Sequence, residues 1–152
     1  MTEPVPVAFD SSVLLTWVLQ ELTWQRVDRL LTNPNVRPVL AGPALAEVIY
    51  TAHRKGNTST PAQLWAAFAA NGAVVEHPED DDLVRAAELR ELSDDHPGPQ
   101  GETLSLGDAL ILAVVERLGV KVVTRDTYWK GFAAAGHTSA QVLDYVTTSR
   151  GA

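Results

Sequence analysis

Short runs of β-branched and aliphatic residues alternate along the chain with longer segments whose apolar positions recur at helical spacing. Val5-Pro6-Val7-Ala8-Phe9 reads as a strand. Residues 11–20 follow, apolar nearly all round through Val13, Leu14, Leu15, Trp17, Val18 and Leu19, which predicts a buried helix with Trp17 in the core. A helix over 24–31 stops at Asn33-Pro34-Asn35, and 36–40 reads as the next strand. Gly42-Pro43 then opens a helix with proline in its first turn, which Arg54-Lys55-Gly56 closes. Thr60-Pro61 starts a further helix to about Ala70, and Ala73-Val74-Val75-Glu76 makes a strand.

The second half continues the alternation. Residues 80–92 are amphipathic, and the acidic run Glu79-Asp80-Asp81-Asp82 sits where a helix start favours negative charge. Two prolines and two glycines make 93–102 a loop within the domain. Residues 104–118 are again apolar almost all round, 120–124 is a strand, 128–135 a short helix and 140–143 a last strand. Strands that alternate with helices build a parallel sheet covered on both faces. The expected fold is α/β, a three-layer α/β/α arrangement around a central parallel sheet of about five strands.

Composition narrows the picture. The chain has 152 residues, the size of a single domain, expected to span 1–152. The longest apolar block, from Ala109 to Val115, ends at Glu116-Arg117, far short of the roughly 20 residues a membrane span needs, so no membrane association is expected. Met1-Thr2-Glu3-Pro4 is acidic and the apolar run after it is too short for a signal peptide, which points to a cytoplasmic protein. Without cysteine there are no disulfides and no thiolate chemistry. Twelve Lys and Arg against nineteen Asp and Glu leave a net charge of −7. No basic stripe runs along such a chain, so any hold on nucleic acid has to be local or bridged by cations.

Ligands of open parallel sheets sit beyond the C-terminal strand ends. Asp10 ends the first strand and Asp126 lies just past the strand 120–124, so chain direction places both at one sheet edge. Each, taken alone, also reads as a helix cap: Asp10 or Ser11 for the next helix, Asp126 for the turn into Tyr128-Trp129. Asp108 fits a capping box with Ser105, yet it also heads the apolar face Ile111, Leu112, Val115. An acid on a buried stripe is costly without a partner. Glu47, on the shoulder of the stripe Leu45, Val48, Ile49, Ala52, reads equally as a surface glutamate or a site residue. Were these acids to converge, each pair ~4 Å apart would repel by roughly 4 kcal/mol at an effective dielectric near 20. Protons or a divalent cation must then accompany them, and an all-oxygen set suits Mg²⁺ or Mn²⁺.

The segment 7–15 (VAFDSSVLL) resembles the opening of PIN-domain nucleases, a strand ending in Asp with a small polar residue two positions on. Ala44-Leu45-Ala46-Glu47-Val48 resembles their helical glutamate. The segments 104–111 (LSLGDALI) and 118–126 (LGVKVVTRD), whose acids stand 18 positions apart, resemble the family's acid on a helix, strand, then Thr-x-Asp. The length is similar to that of VapC toxins of bacterial toxin–antitoxin pairs. The resemblance implies a PIN-like fold and a Mg²⁺- or Mn²⁺-dependent endoribonuclease acting on single-stranded or loop RNA. It implies that Asp10, Asp108 and Asp126 hold metal and that Glu47 completes the cluster. Ser12 and Thr124 match the family's hydroxyl positions, which support the acids; local capping accounts for them equally well. A small VapB-type antitoxin covering the site and a homodimer are the implied partners.

Other chemistries find less support. His53, His77, His96 and His137 form no zinc-type pair, and no phosphate-binding glycine loop or nucleophile elbow is present. A receiver domain would need an acidic pair after the first strand, where Ser11-Ser12 stand, and an aspartate where Glu76 leads into His77-Pro78. A haloacid-dehalogenase phosphatase would need Asp-x-Asp at position 10, and the second aspartate is missing. A catalytically silent PIN-like binding module is the remaining alternative. Tyr128 and Trp129 could stack on RNA, though packing is the commoner fate of such residues. Arg125 and Lys130 are the cations nearest Asp126 in sequence.

Overall fold

A computed structural model describes residues 3–145. Strands and helices run in the order β1 (Val5–Phe9), α1 (Ser11–Val18), α2 (Trp24–Leu31), β2 (Val36–Ala41), α3 (Gly42–Arg54), α4 (Pro61–Ala69) and β3 (Val74–Glu76). They continue with α5 (Asp80–Asp95), α6 (Leu106–Leu118), β4 (Lys121–Thr124), α7 (Thr127–Ala134) and β5 (Gln141–Asp144). The sheet has the order β3-β2-β1-β4-β5, and every neighbouring pair is parallel.

The strand pleat divides the core in two. Val7, Phe9, Leu40 and Val123 point into one layer, where they meet Val13 and Leu14 of α1, Val27 and Leu31 of α2, and Phe68 of α4. Ala8, Ala41 and Val122 point into the other, against Leu89 of α5, Ile111 and Leu112 of α6, and Trp129 and Phe132 of α7. Register keeps the two sets apart, because Ala8 pairs with Val122 and Phe9 with Val123. The three-layer α/β/α architecture is therefore present, with five parallel strands.

Two prolines lie within strands, and register explains why they are tolerated. Pro6 pairs with Arg37 of β2, whereas β4 joins β1 only from Val7 onwards. Pro38 pairs with Val7, whereas β3 joins β2 only from Val39. Each proline thus stands just outside the stretch paired on both sides, where a missing N–H costs least.

The structure departs from the sequence reading in places. Helix α5 runs to Asp95, beyond Leu92 and into the expected loop. The Ser93 hydroxyl, fully buried, accepts the Leu104 N–H at 2.8 Å, so the returning chain is stitched to the last turn of α5. Helix α1 buries Val13, Leu14 and Thr16 fully, while Leu15, Trp17 and Val18 are partly buried against the core. Trp17 is half-buried rather than in the core; its ring tilts against Phe68 at 5.5 Å, and its indole N–H donates to Asp28 at 3.0 Å. An indole with a polar partner within reach sits comfortably at a core margin. Trp129, in contrast, is fully buried, and among the described residues its indole N–H has no hydrogen-bond acceptor. Trp129→Ala should cost about 3–5 kcal/mol in a urea unfolding curve, the range for a deleted core tryptophan.

Among the described residues no helix is long and apolar enough to cross a membrane.

Candidate active site

From β1 the chain moves outward to β2 and β3, then crosses back to β4 on the other side of β1. The C-terminal ends of β1 and β4 therefore flank the point where winding reverses, the usual crevice for a ligand in such sheets. Asp10 follows β1 directly, and Thr124 is the last residue of β4.

Asp10 is only 3% exposed, and among the described residues three hydrogen bonds hold its carboxylate. Its Oδ1 accepts the Ser11 N–H at 2.8 Å, which caps α1, and the Ser11 hydroxyl oxygen lies 3.5 Å away with its proton directed at Glu47. Its Oδ2 accepts the Ser12 and Thr124 hydroxyls, both at 2.8 Å. The same two hydroxyl oxygens accept backbone N–H groups, Ser12 from Arg125 at 3.1 Å and Thr124 from Asp126 at 3.0 Å. An N–H only donates, so each hydroxyl proton is committed to Asp10. This relay ties the end of β1 to the turn after β4 and fixes the direction of the buried carboxylate.

The other acids arrive from separate elements. Glu47, one turn into α3, accepts the Ser11 hydroxyl at 2.9 Å. Its Oε1 lies 1.9 Å from where a Cβ on Gly107 would stand, so the bare backbone of α6 makes room for it. Asp108 forms the expected capping box, its Oδ2 accepting the Ser105 N–H at 3.2 Å while its own N–H donates to Ser105 Oγ at 3.0 Å. Asp126 caps α7 through the Tyr128 N–H at 3.0 Å. Cap and site readings are compatible here, since each cap engages one carboxylate oxygen and a carboxylate has two.

Burial and neighbouring charge raise the proton affinity of three of these groups. Burial pushes the Asp10 carboxyl up, against the pull of its hydrogen bonds, and the charge on Asp126 adds to the rise. Burial also raises Glu47, with the Ser11 hydrogen bond opposing and the Asp10 charge reinforcing it. Asp108 is pushed up to about 6, first by burial and then by Asp10, with Glu47 and Asp126 contributing. The acids therefore act on one another across the crevice. As the side chains lie, no three of them among the described residues form a ready ligand set for one ion. Their convergence is electrostatic, with the oxygens directed at their separate caps and hydroxyls.

Neighbouring residues sort differently from the sequence reading. Ser11, considered there only as a cap, links Asp10 and Glu47; an uninterrupted Asp-Ser-Ser run is the signal that could have found it. Arg125 turns towards α1, its guanidinium donating to Thr16 Oγ1 at 2.5 Å, 3.7 Å from Glu21 and 5.8 Å from the centre of the Tyr145 ring. Tyr128 and Trp129 are buried, as packing predicts. Lys130 lines a cleft of about 360 Å³ that also includes Thr124 and Asp126.

Known proteins share this fold. None of the curated proteins matches the chain in sequence. Among solved structures, Mycobacterium tuberculosis VapC20, a toxin that cleaves the sarcin–ricin loop, superposes with a TM-score of 0.66 at 20% identity, over 86% of this chain and 95% of that one. VapBC2 from Rickettsia felis, bound to a promoter DNA fragment, gives 0.66 at 12% identity over 91% and 98%. VapBC-1 from nontypeable Haemophilus influenzae gives 0.64 at 15% identity over 93% and 99%. At such identities these likenesses establish a shared fold. Residues 7–135, a span that includes all four acids, match the PIN domain model, and the chain belongs to the PIN-domain family.

Proposed function

We propose that the protein is a Mg²⁺- or Mn²⁺-dependent endoribonuclease acting on single-stranded or loop RNA. We read it as the VapC-type toxin of a cytoplasmic toxin–antitoxin pair. The observation that carries this reading is the hydrogen-bond network at the switch point between β1 and β4, where Ser12 and Thr124 hold Asp10 and Ser11 holds Glu47, with Asp108 close enough to feel the charges of Asp10, Glu47 and Asp126. Carboxylates that raise one another's proton affinity are also the groups whose repulsion a divalent cation relieves. The donor set is all oxygen and suits a hard ion that also accepts phosphate.

Asp10, Asp108 and Asp126 would hold the ion, with Glu47 completing the cluster from α3. A divalent ion bound there supplies the Lewis acidity that phosphodiester hydrolysis needs. The chain's own contribution is placement. Ser12 and Thr124 direct Asp10, Ser11 positions Glu47, and the starts of α6 and α7 bring Asp108 and Asp126 to the same crevice. Because the protein is acidic overall, a site that concentrates positive charge at one point suits it to a polyanion better than a broad surface would. The toxin structures that share this fold include VapBC complexes, which supports a VapB-type antitoxin covering the acidic site, and a homodimer is part of the same reading.

Incubation with total RNA should give discrete cleavage when Mg²⁺ or Mn²⁺ is present and none in EDTA, with activity restored on adding the metal back. RNA left intact under every metal condition would sink the nuclease reading. Gly107→Ala probes Glu47 without touching it. The new methyl falls on Glu47 Oε1, the end of a flexible side chain, so the fold should tolerate it while the carboxylate is displaced. Cleavage should drop by roughly tenfold or more with the melting temperature nearly unchanged, since a misplaced site group alone has an effect of that size.

A further inference from the structure

Beside the acidic crevice, across the start of α7, lies a second cleft of about 650 Å³. Thr127, the residue after Asp126, belongs to the walls of both this cleft and the smaller one at Lys130. Four rings follow one another along the larger cleft, from the core to solvent. Tyr128 stacks on Phe132 at 5.6 Å, Phe132 meets His137 at 5.1 Å, and His137 stacks on His96 at 4.1 Å with 25° between the planes. Tyr128 and Phe132 are buried, His137 is half-buried and His96 is exposed, so the series ends in a ring open to solvent.

The floor of the cleft contains Gly131, inside helix α7. A glycine there costs about 0.5–1 kcal/mol against alanine. Its φ is not positive, and among the described residues nothing lies within 4 Å of the position its Cβ would take. Neither backbone conformation nor packing calls for glycine, and the effect of its bareness is to leave the cleft open. Among the described residues no lysine or arginine lines the cleft, whereas Glu102 does, so its chemistry favours a neutral flat ring over a phosphate.

We infer that this cleft is a base-binding subsite, in which one unpaired nucleobase next to the cleaved bond inserts over Gly131 and extends the ring series at His96. The inference rests on the ribonuclease reading and adds the substrate feature the enzyme grips. A base has a π-face whatever its identity, and stacking on aromatic groups is worth about 1–3 kcal/mol per base. Phosphates on either side would then lie outside, within reach of the acidic crevice.

The test uses a fluorescein-labelled single-stranded RNA decamer of mixed sequence, with binding followed by anisotropy in Ca²⁺ and cleavage in Mg²⁺ or Mn²⁺. Gly131→Phe should weaken binding roughly tenfold or more, and His96→Ala to a similar degree, the range of one lost stacking contact. Gly131→Ala should melt higher, since alanine is the better helix former, which separates the helix effect of position 131 from the blocking effect of phenylalanine. Wild-type affinity in a folded Gly131→Phe protein would overturn the subsite while leaving the nuclease reading intact. A change in sedimentation instead of RNA affinity would likewise overturn it, by assigning the cleft to a second copy of the chain. If the wild-type protein neither binds nor cleaves the decamer or total RNA, the nuclease reading fails and the subsite falls with it.

Discussion

Asp108→Asn is expected to abolish RNA cleavage and, in the same protein, to raise stability measured without added metal. Loss of activity should reach roughly a thousandfold, the upper range for removing one electrostatic group aimed at developing charge. The stability gain follows from linkage. Asp108 titrates at about 6 in the folded protein instead of the usual 3.8, so the folded state binds this proton more tightly than the unfolded one. Between those values stability falls as pH rises, and above about 6 the ionised side chain weakens the fold by on the order of 3 kcal/mol. Asparagine has no charge to bury and keeps an oxygen for the Ser105 N–H. At pH 7 in EDTA the variant should therefore unfold at higher urea than wild type, with the difference shrinking towards pH 4. Full activity would remove Asp108 from the reaction. Lower stability would show that its charge is neutralised within the fold.

Divalent metal should reverse that handicap, and acid should oppose the metal. Binding to the folded state alone stabilises by about 2.7 kcal/mol at a concentration one hundred times the dissociation constant. Mg²⁺ or Mn²⁺ should accordingly raise the melting temperature at pH 8. Below about 6 a proton competes for Asp108, and the apparent affinity should fall by up to about tenfold for each further pH step of one. Cleavage at subsaturating metal should follow the same profile. A thermal shift that is equal at pH 5 and pH 8, or equal in wild type and Asp108→Asn, would contradict this account.

The fold was legible because its two periodicities are strong. Phe9 against Ala8, and Val123 against Val122, show the alternation of a sheet buried on both faces. What the pattern concealed was the depth of individual side chains. Trp17 looks like core by hydropathy, but Asp28, eleven residues on, draws its N–H to the margin. Helix α5 overran its expected end because the buried Ser93 hydroxyl accepts the N–H of Leu104, a partner that no local rule in 80–92 could supply. Among the site residues, Asp10 and Asp126 could be placed at one edge from chain direction, and Ser12 and Thr124 came from the family resemblance. Ser11 and Gly107 could be found by neither, since their importance comes from Glu47 arriving on α3, a contact between segments distant in sequence. Arg125, a cation next to Asp126 in sequence, has its guanidinium held on the α1 side by Thr16 and Glu21.

Three of the acids also serve helix starts: Asp10 and Asp126 as the N-caps of α1 and α7, and Asp108 as the third residue of α6, whose side chain closes the capping box with Ser105. Mutational decay of this gene would meet that double duty. Replacing Asp10 or Asp126 with alanine discards a cap as well as a charge, at about 1 kcal/mol for the cap alone, and Asp108→Ala discards one half of a capping box. Asparagine discards only the charge. Descendants that had lost the activity but still folded should therefore carry asparagine or serine at these positions, a signature by which a retired copy could be told from a working one by inspection of three codons.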